Sequence, residues 1–96
     1  MKVTDEIIHN LRRIDSIDKV LLFGSRARKD QHERSDIDLA IWCPNASDDE
    51  WNSALEIIED ANTLLKIDCV RLDSMTENNP LRQKIESEGQ IIYTKP

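Results

Sequence analysis

Long apolar runs are absent from this sequence. No stretch approaches the roughly 18 to 20 residues that cross a bilayer, and Asp5 and Glu6 close behind Lys2 break the charged-then-apolar layout of a signal peptide. A cytosolic (cytoplasmic) protein with no membrane contact is expected. Cysteine is scarce: Cys43 and Cys69 lie in apolar, strand-like segments with no Cys-x-x-Cys or Cys/His ligand spacing, which argues against a disulfide framework or a zinc site and for buried free thiols. Positive charge is in deficit, 13 Lys+Arg against 19 Asp+Glu, giving a net charge of −6. That is the wrong sign for a free-standing binder of nucleic acid or of an anionic membrane. There is no P-loop lysine motif, dinucleotide fingerprint or Gly-x-Ser-x-Gly elbow. His9 and His32 share no ligand spacing and read as solvent-exposed.

What is present suits one small α/β domain spanning residues 1–96. Hydrophobic residues make up 39% of the chain, with twelve Ile and nine Leu, enough for a small core. Ile7, Ile8, Leu11 and Ile14 form one stripe of an amphipathic helix over 5–15, with Thr4 as its expected N-cap. Lys19 to Phe23 is a short apolar run stopped by Gly24, the pattern of a strand covered on both faces. From Asp36 to Cys43 the residues alternate, with Ile37, Leu39, Ile41 and Cys43 on one face and Asp36, Asp38, Ala40 and Trp42 on the other. Ser47 to Glu50 is a capping box opening a helix to about residue 62. Residues 67–72 read as a third strand, Asn79-Pro80 as the start of a further helix stopped by Gly89, and Gln90 to Thr94 as a weak last strand. The order αβαβαβαβ predicts a small sheet with helices packed on it. The link between the first two strands is too short for a parallel crossover, so that pair should be antiparallel and the sheet mixed.

The chemistry concentrates between Val20 and Trp42. A Gly-Ser pair at the end of a strand, Gly24-Ser25, lets backbone approach a phosphate while free amides and a hydroxyl donate to its oxygens. Arg26, Arg28 and Lys29 add positive charge beside it. Asp36 and Asp38 point the same way along a strand with Cα atoms roughly 6.5 to 7 Å apart, close enough to share one or two Mg²⁺ ions whose remaining ligands are substrate phosphates. An acid-x-acid pair alone carries no weight, since about four are expected by chance and three occur. The other two, Asp48/Glu50 and Glu86/Glu88, fall on predicted helices as a cap and a solvated face. Only Asp36/Asp38 opens an apolar strand shortly after a Gly-Ser turn.

Phe23-Gly24-Ser25-Arg26-Ala27-Arg28, followed by Ser35-Asp36-Ile37-Asp38-Leu39, resembles the signature of the polymerase-beta-type nucleotidyltransferase superfamily, and most of all its minimal nucleotidyltransferases. The resemblance implies a nucleotidyltransferase fold in which Gly24 and Ser25 contact the triphosphate, Arg28 binds phosphate, Asp36 and Asp38 ligate metal, and Asp68 is a third acid, metal ligand and base. The implied reaction moves a nucleoside monophosphate, AMP from ATP, to a hydroxyl, with Mg²⁺ as cofactor and release of pyrophosphate. Larger relatives carry a helical domain for the acceptor, and a chain this short has no room for one. The resemblance therefore implies a helical HEPN-domain partner, as toxin to this chain's antitoxin, with a partner tyrosine as acceptor; a homo-oligomer is also compatible. A rival from another class is a non-catalytic module that masks such a partner stoichiometrically. Transfer to an aminoglycoside-like small molecule is disfavoured by the same lack of an acceptor domain. Three acids aimed at one place repel one another and have little structural use, which favours the enzyme.

Overall fold

In this computed structural model, residues 2–27 and 36–96 are described. The alternation along the second strand sets the architecture, because it places apolar side chains on both faces and so calls for cover on both. The strands are β1 (Lys19–Phe23), β2 (Ile37–Trp42), β3 (Ile67–Arg71) and β4 (Gln90–Thr94), and the helices are α1 (Lys2–Leu11), α2 (Asp48–Glu59) and α3 (Pro80–Glu88). The strands form one sheet in the order β3-β2-β1-β4. β1 runs antiparallel to both β2 and β4, whereas β2 and β3 are parallel. The sheet is mixed, as the short first connection requires.

One face packs Val20, Leu22, Ile37, Leu39 and Ile41 against Ile7 and Leu11 of α1 and Ala54 and Ile58 of α2. The other packs Leu21 and Ala40 against Leu72 and Ile85, the last being the buried residue of α3. Asp36 and Asp38 share the parity of Ala40, so they belong to the α3 face. That face is thinly covered, which leaves the acid end of β2 in reach of solvent.

Local signals act where expected at two helix starts. Ser47 accepts from the Glu50 amide at 3.1 Å while the Glu50 carboxylate accepts from the Ser47 amide at 3.0 Å, the reciprocal box that satisfies two otherwise orphaned donors. Asn79 Oδ1 accepts from the Leu81 amide at 2.9 Å, with Pro80 in the first helical turn. At the first helix the structure differs from the sequence reading: α1 begins at Lys2, so Thr4 lies inside it and not at its cap. Thr4 falls on the stripe of Ile7 and Leu11 and is buried with them, and that burial outweighs its capping preference. Gly89 does end α3, but at φ −68°. It is needed for closeness, because a β-carbon there would strike the Ile85 carbonyl oxygen and come within 3.2 Å of Leu21 Cδ2.

Both cysteines are free. Cys43 is buried and Cys69 half-buried, and burial raises their thiols to about 11 and about 12. Both are inert thiols at neutral pH. Among the described residues no helix is long and apolar enough to cross a membrane.

Candidate active site

Register brings the predicted acids together. Phe23 pairs with Asp38 across the antiparallel β1–β2 ladder, and Asp38 pairs with Asp68 across the parallel β2–β3 ladder. Neighbouring strands stand about 4.8 Å apart, so two acids distant in sequence become neighbours, and Asp36 lies two residues before Asp38. Asp36 is exposed and Asp38 half-buried.

Gly24 comes directly after β1 with φ +74°, in the left-handed region that residues with side chains avoid. A β-carbon there would run into Asp38 Oδ2. The absence of a side chain thus lets the Asp38 carboxylate lie directly against the turn. The chain continues as one 3₁₀ turn over Gly24–Arg26, in which the Ala27 amide donates to the Gly24 carbonyl at 3.2 Å. The Ser25 side chain, Arg28, and the segment from Lys29 to Ser35 with its His32 lie outside the described residues.

Charge at this place is one-sided. Burial raises the Asp38 pKa above the ordinary carboxylate value, and repulsion from Asp68 and then Asp36 raises it further; Lys66 pulls the other way. Lys66 Nζ stands 3.8 Å from Asp68 Oδ1. Lys66 was not among the residues the sequence singled out. Its signal was the i, i+2 spacing, which on an extended strand puts both side chains on one face.

Mg²⁺ suits this donor set chemically: every candidate ligand is a carboxylate oxygen, and the mutual repulsion felt by Asp38 is what a cation between the strands relieves. Asp36, Asp38 and Asp68 are the residues that could hold it. Among the described residues no three acids, His or Cys close into a complete metal-binding group.

Trp42 packs half-buried against the Leu21, Ala40, Leu72 and Ile85 cluster, at the far end of β2 from Asp36 and Asp38. Its ring is flanked by Lys19 Nζ at 5.6 Å and Arg82 Cζ at 5.2 Å from the centroid, beside a concavity of about 320 Å³ that they line with Leu72 and Glu86. That concavity does not include Asp36, Asp38 or Asp68, so charge and register mark the candidate site better than hollowness does. Trp51 packs its helix against the core, with the Arg71 guanidinium 5.8 Å from its centroid.

No curated protein gives a significant match to the chain. Solved structures do. A toxin–antitoxin complex with AMP-PNP aligns at TM-score 0.64 and 24% identity, covering 98% of this chain and 74% of that one. A mutant toxin–antitoxin MntA-HpeT complex aligns at 0.61 and 21%, covering 95% and 70%. A putative nucleotidyltransferase from Sulfolobus solfataricus aligns at 0.65 and 19%, covering 98% and 79%. At such identities these likenesses establish the fold. Residues 5–96 match the family described as "Polymerase beta, Nucleotidyltransferase", a match that takes in the Gly24 turn, all three acids and every strand. The chain belongs to the polymerase beta nucleotidyltransferase family.

Proposed function

We propose that this chain transfers AMP from ATP to a hydroxyl on a separate helical HEPN-domain protein, a tyrosine being the acceptor, and thereby acts as its antitoxin. The observation that carries this reading is the pairing of Asp38 with Asp68 beside the left-handed Gly24. Mg²⁺, bound by Asp36 and Asp38 and shared with Asp68, would neutralise phosphate charge and acidify the acceptor hydroxyl. The chain's own residues do the rest. Gly24 admits phosphate oxygens close to the backbone, and Ser25 and Arg28 donate to them. Asp68, with a half-exposed carboxylate, takes the proton from the attacking hydroxyl. Phosphoryl-type transfer is chiefly positioning and charge neutralisation, so few groups suffice.

Support for a partner in trans comes from two sides. The described helices pack on the chain's own sheet, and structures that share this fold have been crystallised as toxin–antitoxin complexes, one with AMP-PNP. Co-incubation with the helical partner and Mg-ATP, read by intact-mass spectrometry, should add whole AMP groups to the partner. Asp36→Asn/Asp38→Asn should abolish the addition while still binding. If no mass appears on any candidate acceptor, and the double variant neutralises the partner as well as wild type does, stoichiometric masking replaces catalysis.

A further inference from the structure

We propose that Lys66 is a positioning residue that stands in for the divalent cation at Asp68 in the metal-free protein, so that metal and nucleoside triphosphate load together. This role rests on Asp36, Asp38 and Asp68 being the metal–nucleotide site. The Lys66 carbonyl accepts the Ile37 amide at 2.9 Å, which fixes the residue one step ahead of the Ile37–Ile67 pair and level with Asp36. From there its ammonium reaches Asp68 Oδ1 at 3.8 Å. Among the described residues, Lys66 is the cation acting on Asp38, against two acids.

The pair is built to part. Side-chain exposures of 69% for Lys66 and 47% for Asp68 make it a wet contact, in the class of ion pairs that add little stability. A lysine ammonium is a compact charge on a flexible stem with rotatable donors. A dication arriving alone must displace that charge from Asp68 and then endure its repulsion. A dication arriving with a triphosphate brings anionic oxygens that accept the released ammonium. Lys66 therefore opposes metal binding alone and favours metal with nucleotide, a coupling that works equally in both directions.

Mn²⁺ binding, followed by electron paramagnetic resonance with and without a non-hydrolysable ATP analogue, tests this without reference to turnover. Lys66→Met should bind Mn²⁺ alone about three- to tenfold more tightly than wild type, as expected for removing one nearby charge at a solvated site. The factor by which the analogue strengthens Mn²⁺ binding should shrink by at least as much. Lys66→Arg should stay within about twofold of wild type in both measures, because charge and reach are kept. Mn²⁺ binding that is lost in Asp38→Asn but unchanged in Lys66→Met overturns this inference and leaves the site assignment standing. Wild-type protein that takes up no Mn²⁺ even with the analogue overturns the site assignment and this inference with it.

Discussion

Asp38 is held in a place that disfavours its charge, and the consequence for stability has a definite sign. Its folded pKa is raised, by burial first and by Asp68 and Asp36 next. Such a group contributes its stability below its unfolded value and loses it as pH rises through the folded value. Metal-free protein should therefore carry a penalty at neutral pH that Asp38→Asn removes. The expected gain is on the order of 0.5 to 1 kcal/mol after allowance for solvent screening, or a few degrees in melting temperature for a chain of this size. The gain should fade below the ordinary value of 3.8; thermal melts at pH 7 and pH 3 decide it. Gly24→Ala should act in the opposite direction. The left-handed φ costs about 1 to 2 kcal/mol, and the new methyl displaces the Asp38 carboxylate. Urea unfolding should show a loss of at least that size, and Mg-ATP binding should fall with it.

At the scale of elements, one arginine ties the end of β2 to the turn after β3. Arg71 Nη2 donates to the carbonyls of Cys43 at 3.0 Å and Ala46 at 3.1 Å, and its Nε to Asp73 at 3.0 Å. Asp73 accepts the Cys43 amide at 2.9 Å in return. Burial alone would raise the Asp73 carboxyl, but the Cys43 amide and the Arg71 guanidinium outweigh it and hold it below the ordinary range. A depressed carboxylate gives stability that is present above its unfolded pKa and lost as pH falls through the folded one. Arg71→Ala should cost about 2 to 3 kcal/mol at pH 7 through the orphaned carbonyls and carboxylate, with a smaller difference in acid below that range, measured by urea titration at both pH values. Asp73 stands two residues from Arg71, but the rest of the tie was not visible in sequence, because Cys43 and Ala46 stand 28 and 25 residues from Arg71 and only the fold brings them near. The strands themselves were legible, since alternation at β2 and the apolar run at β1 are local. The start of α1 was not: Thr4 carries a capping signal and a core position at once, and tertiary packing decided between them.

At the scale of the molecule, the candidate site was readable in part. Gly24, Asp36 and Asp38 lie within one short motif, so local spacing sufficed. Asp68 was reached through the family resemblance alone, since no local pattern states the parallel register of β2 with β3 that sets it beside Asp38, and Lys66 gained a role only once that register placed it level with Asp36. On the proposed function, a chain with net charge −6 gathers three of its acids at one end of adjacent strands because a metal–triphosphate pair would offset their repulsion. Isothermal titration of ATP with and without Mg²⁺, on wild type and Asp38→Asn, tests that claim most directly. Wild type should bind ATP more tightly with Mg²⁺, by about tenfold or more if each lost charge-assisted contact is worth about 1.5 to 3 kcal/mol, and Asp38→Asn should keep its fold while losing the Mg²⁺ dependence. Equal Mg-ATP affinity in the two proteins would contradict the assignment of the acid cluster as the metal–nucleotide site.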